Sequence, residues 1–143
     1  MRARRLLGLL AASAALVVVS VAAAKDFRPG DLRVCNKARC IAIADQKVLD
    51  TLSVFYYGSP KPRRALPPAL GVPYYELRFT NGYTTGIVAT AALDRFLSYG
   101  VNLNQFARGR WYRVPTAASA ELRRLAAPLA PLRLTRTAIR KAR

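Results

Sequence analysis

Apolar and polar positions alternate most cleanly from Tyr74 to Thr80. Tyr75, Leu77 and Phe79 fall on one side and Tyr74, Glu76 and Arg78 on the other, which predicts a strand with one buried face. Asn81-Gly82 follows, a dipeptide that tolerates positive φ at both positions and predicts a two-residue hairpin turn. The return strand is then Tyr83 to Ala89. In that register Arg78 stands opposite Thr85 and Glu76 opposite Ile87, while Thr84, Gly86 and Val88 share the face of Tyr75, Leu77 and Phe79. That face is the expected core side. Gly86 opposite Leu77 implies another side chain packed closely over the sheet.

Upstream, Leu32-Arg33-Val34 and Ile41-Ala42-Ile43 flank a polar loop bounded by Cys35 and Cys40, a second hairpin pattern. Asp45 can cap a helix whose apolar residues Val48, Leu49, Leu52, Phe55 and Tyr56 keep to one face, with Gly58 and Pro60 ending it. Residues 59–73 carry five prolines and read as a loop. Thr90 can cap a further helix bearing Leu93, Phe96 and Leu97, stopped by Gly100. Residues 101–109 read as a loop with Leu103 and Phe106 turned inward. Arg110 to Val114 reads as a strand ended by Pro115. A short helix then starts at Thr116, with Ala118, Leu122, Leu125 and Ala126 on one side, and Pro128 and Pro131 break it. From there the chain is basic and poor in core formers, so residues 128–143 are expected to form a mobile tail.

The order predicts a small single α+β domain over residues 25–127. Two β-hairpins and a further strand form an antiparallel sheet, with two or three helices packed on one face. All thirteen aromatic residues lie between Phe27 and Tyr112, which marks where the core is built.

The N-terminus changes the compartment. Met1-Arg2-Ala3-Arg4-Arg5, an apolar run from Leu6 to Val21 and the triplet Ala22-Ala23-Ala24 have the organisation of a secretory signal, with cleavage expected after Ala24. The alternative is an uncleaved single-pass anchor, since the run is close to the ~20 residues that span a bilayer. The protein is therefore expected to be secreted or to reside in the cell envelope. In those oxidising surroundings Cys35 and Cys40 are expected to pair. Their spacing of four intervening residues favours a structural bridge over a redox pair.

Charge narrows the partners. The chain carries 24 Lys and Arg against 7 acids, net +17, and the signal accounts for only three of the cations. Codon bias in a GC-rich bacterial genome would favour Arg and Ala without any function. A partner carrying negative charge is the functional alternative. Candidate anion-binding residues are Lys37 and Arg39 at the first hairpin tip, Lys61, Arg63 and Arg64 in the proline loop, and Arg108, Arg110 and Arg113 around Trp111 and Tyr112. An anionic envelope component or another protein is the expected partner, with Tyr74 and Tyr83 as candidate protein contacts on the outer sheet face. Contact with a membrane is expected only through an uncleaved N-terminal segment or surface charge. Nucleic acid, which an exported chain seldom meets, is not expected.

Catalysis finds little support. The chain has no His, which removes Ser-His-Asp and Cys-His mechanisms and the commonest transition-metal ligand. Glu76 and Asp94 are the only carboxylates conceivable as an acid–base pair. A capped helix start and an arginine partner explain them more simply. The expectation is a non-enzymatic binding module without metal or cofactor.

Overall fold

Asn36 shapes the first turn. Its Oδ1 accepts from the N–H groups of Ala38 (2.9 Å) and Arg39 (2.8 Å), and its own N–H donates to Arg39 O at 3.0 Å. This sets β1 (Leu32–Cys35) antiparallel to β2 (Cys40–Ala42), with Cys35 directly opposite Cys40 and joined to it by a disulfide. The computed structural model describes residue 28 and residues 30–57, 62–100 and 106–142. The expected signal segment, together with Gly58, Lys61 and Leu103, lies outside these.

The sheet continues through β3 (Pro73–Phe79), β4 (Thr84–Ala89), β5 (Arg95–Ser98) and β6 (Trp111–Arg113). Its order is β2-β1-β3-β4-β5-β6, antiparallel throughout, and β7 (Leu132–Arg133) pairs with the start of β3. Among the described residues four helices accompany it: α1 (Gln46–Leu52), α2 (Val54–Tyr57), α3 (Thr116–Ala126) and α4 (Arg136–Arg140). The protein is thus a small α+β domain on an open antiparallel sheet. Asp45 caps α1 as expected, accepting from Lys47 N at 2.8 Å. The periodic run breaks at Ser53, whose N–H bonds Asp50 O, so one expected helix becomes two.

Strand alternation sorts the core into two layers. Leu32, Val34, Tyr75, Leu77, Val88, Phe96 and Tyr112 face α1, α2 and α3. Phe55, Phe96, Phe106 and Tyr112 stack edge to face along this layer, at centroid separations of 4.8–5.3 Å. The opposite face carries Tyr74, Ile87, Ala89, Leu97 and Trp111, and these cluster with Leu134, Ala138 and Ala142 of the C-terminal segment. Helices therefore contribute to both faces, not to one as the sequence suggests.

Three further expectations are corrected. The Asn81-Gly82 hairpin is not a two-residue turn. Gly82 N donates to Phe79 O, Phe79 N donates to Tyr83 O, and Gly82 sits at φ +82°, a three-residue loop with a left-handed glycine. Glu76 still faces Ile87, but Arg78 pairs with Thr84, and the register shift leaves Thr85 as a buried bulge whose Oγ1 donates to Leu77 O. The helix expected at Thr90 is instead a tight turn, with Thr90 at φ 87° and Leu93 at φ 51°, leading into β5. Phe96 and Leu97 then point to opposite faces. Pairing with β4 and β6 on both edges outweighs the helical preference of Ala91-Ala92-Leu93. Finally, residues 128–142 do not form an undocked tail. Leu129, Leu134, Ala138 and Ala142 are buried, and Thr135 caps α4 through Ala138 N.

Candidate anion-binding edge

The proline-rich segment supplies an additional edge to the sheet. Arg113 N donates to Arg63 O at 2.8 Å and Ala65 N donates to Trp111 O at 3.0 Å, forming an antiparallel bridge between Arg64 and Tyr112. Pro62 and Pro67, which cannot donate to a ladder, bracket this short pairing. The bridge sets Arg63 level with Arg113, and Arg113 pairs directly with Arg95 of β5. Three arginines thus stand in a row across adjacent strands at one end of the sheet.

Like charges directly opposite one another in a sheet are destabilising. One carboxylate relieves the row. Asp94 Oδ2 meets Arg95 Nη1 at 3.1 Å, while its Oδ1 accepts from Thr90 Oγ1 at 2.5 Å. Arg63 and Arg113 are exposed and lie in none of the ion pairs among the described residues. Arg64, also exposed, places its guanidinium carbon 5.1 Å from the centroid of the Tyr112 ring. Beside them lies a groove of about 510 Å³ lined by Arg64, Ala65, Pro67, Arg110 and Trp111, with Ile139 contributing from α4. Arg108 is exposed but tethered, its Nε donating to Ala142 O at 3.3 Å.

Backbone pairing sets Arg63 level with Arg113, and five of the eight candidate anion-binding residues, Arg63, Arg64, Arg108, Arg110 and Arg113, therefore lie on or next to the β6 edge. Lys37 and Arg39 do not. They sit at the tip of the β1–β2 hairpin on the opposite edge, where Arg39 donates to Pro128 O. Sequence reasoning missed Arg95, because its position opposite Arg113 exists only if residues 95–98 form a strand. Arg95-Phe96-Leu97-Ser98 does not alternate, so no local signal marks this strand.

The described carboxylates are already engaged. Asp31 accepts from Arg28 N, Asp45 caps α1, Asp50 accepts from Gln46, Glu76 holds Arg78, Asp94 holds Arg95 and Glu121 holds Arg124. Glu76 and Asp94 consequently have separate partners. Arg78 pairs across β1 and β3 with Arg33, a second like-charge pair, and Arg33 Nε is buried with no hydrogen-bond partner. Among the described residues, no group of three or more His, Cys, Asp or Glu side chains could hold a metal ion.

The tyrosine surface is half of what the sequence suggests. Tyr83 is 50% exposed at the hairpin loop, but Tyr74 is only 8% exposed and belongs to the second core layer. Burial pushes the phenols of Tyr74, Tyr75 and Tyr99 above their ordinary range. The Glu76 carboxylate adds to the effect at Tyr74 and Tyr99. Trp111 and Tyr112 are also buried, so the arginines around them have no exposed rings for base stacking. Compared with protein-family models, curated proteins and solved structures, the chain matches none of them.

Proposed function

We propose that this is an exported, non-enzymatic module that attaches electrostatically to an anionic envelope surface or polymer through the β6 end of its sheet. The observation that carries this reading is the row Arg63, Arg113 and Arg95, three cations held side by side by backbone pairing and relieved by a single carboxylate. A fold that holds like charges together is relieved by an external anion, and each basic residue near an anionic surface contributes about 1 kcal/mol. Arg64 and Arg110 widen the same basic edge.

The test is binding to phosphatidylglycerol-containing vesicles and to soluble polyphosphate, with phosphatidylcholine vesicles as control. Binding should weaken steeply between about 50 and about 300 mM salt. The double variant Arg63→Glu/Arg113→Glu should abolish it, and retention of full affinity would refute the reading. The alternative, recognition of a protein partner, draws support from the half-exposed ring of Tyr83. It predicts binding that Tyr83→Ala impairs and salt barely changes.

A further inference from the structure

We infer that the proline-rich segment between Ala65 and Gly71 is a lipid-inserting prong, and that the anionic surface this protein meets is a bilayer of anionic phospholipid. The inference rests on the proposed function and specifies its target. Leu66 is 81% exposed and Leu70 is 50% exposed, the largest exposures among the large hydrophobic residues described, together with Tyr83. Both leucines belong to one short excursion pinned at its two feet. At one foot Ala65 N donates to Trp111 O, and at the other Gly71 N donates to Leu134 O at 2.8 Å and Leu134 N to Val72 O at 2.9 Å. Pro67 and Pro68 fix backbone torsions between them, and Gly71 makes the returning bend at φ +83°. The leucines are held out from the sheet by a constrained backbone, so ordering them at a membrane costs little further entropy.

Cations bracket the prong. Arg63 and Arg64 lead into it, Arg110 lines the same groove as Pro67, and Arg133 donates from Nη1 to Gly71 O at the far foot. No acidic residue occurs from Pro62 to Pro73. Exposed apolar side chains on a segment flanked by arginines match a phospholipid interface, where phosphate lies above hydrocarbon. A soluble polyanion matches the arginines and leaves the leucines in water. That difference separates the two targets.

The experiment uses the exported chain from Lys25 onward with Leu66→Trp, read against the emission of Trp111 in the unsubstituted chain, and vesicles of phosphatidylglycerol with brominated or ordinary acyl chains. The added fluorescence should shift to the blue on binding and be quenched only by the brominated lipid. The double variant Leu66→Ser/Leu70→Ser should lose vesicle affinity by at least about tenfold and keep its affinity for polyphosphate. An unchanged Trp111 spectrum would show that it has folded. Vesicle binding without quenching would overturn insertion and leave electrostatic attachment standing. Equal losses toward vesicles and polyphosphate would also overturn it. Failure to bind either probe would remove both readings.

Discussion

Phe96 lies directly over Gly86, packing its ring where a side chain would otherwise stand. A β-carbon placed on Gly86 would overlap the Leu97 carbonyl oxygen and come within 2.6 Å of Phe96 Cζ. The residue is buried within β4, where glycine is normally a liability. Gly86→Ala is therefore expected to cost about 1–3 kcal/mol by overpacking. Thermal unfolding should show this as a fall of roughly 4–8 °C per kcal/mol. Adding Phe96→Leu should not restore stability, because the backbone carbonyl of Leu97 still blocks the methyl group.

That close approach is legible in the residue pattern alone, since a glycine opposite Leu77 on the core face of an alternating strand implies a neighbour lying over it. The first hairpin, the Asp45 cap and the face of α3 are legible for the same reason: local pattern and final environment agree. Residues 90–98 are not. Thr90 to Leu97 satisfies a helical pattern locally, and only hydrogen bonding to two strands, β4 and β6, makes Arg95–Ser98 a strand. Residues 128–142 look like a tail because the buried Leu129, Leu134, Ala138 and Ala142 are scattered among prolines and basic residues. Leu134, Ala138 and Ala142 join the layer around Trp111, and alanine gives little periodic signal. The candidate edge is half legible. The arginines can be named, but their adjacency depends on β5 and on the Arg64–Tyr112 bridge.

The C-terminal segment should behave as part of the core. Leu134→Ala removes a fully buried side chain beside Trp111 and should cost about 2–5 kcal/mol. Deleting residues 132–143 should uncover Trp111 and shift its emission to the red. An unchanged spectrum and melting temperature would show that the segment does not pack as described.

The Cys35–Cys40 bridge closes a loop so short that it constrains the unfolded chain only modestly. Replacing both cysteines by Ser should cost about 2 kcal/mol, with β1 and β2 retained. Loss of all folded signal after reduction would contradict this.

Alkaline pH should destabilise the protein. The phenols of Tyr74, Tyr75 and Tyr99 are raised above 10.0 in the folded state, chiefly by burial. Above pH 10 the unfolded chain loses these protons before the folded one does. The stability they contribute is therefore complete below pH 10 and declines as pH climbs past 10 towards their folded values. Absorbance at 295 nm should keep rising beyond pH 10, and Tyr99→Phe should remove the latest part of that rise. A single titration centred on pH 10 would refute the burial argument.

The arginine row makes a prediction in which stability and binding move in opposite directions. Arg113 faces Arg95 across β5–β6 and lies level with Arg63, so Arg113→Glu converts two repulsive neighbours into attractive ones. Cross-strand pairs of opposite charge contribute roughly 0.2–1 kcal/mol each, and the residue is exposed, so nothing in the core is disturbed. The variant should melt at or above the wild-type temperature while its affinity for anionic vesicles falls. Arg113→Gln should lie between the two in both measurements. A residue retained only as a solvated strand position would show the stability gain without the loss of binding. One needed for folding would show a loss of both. Opposed changes are the signature of charge kept at a stability cost because an external anion completes the row.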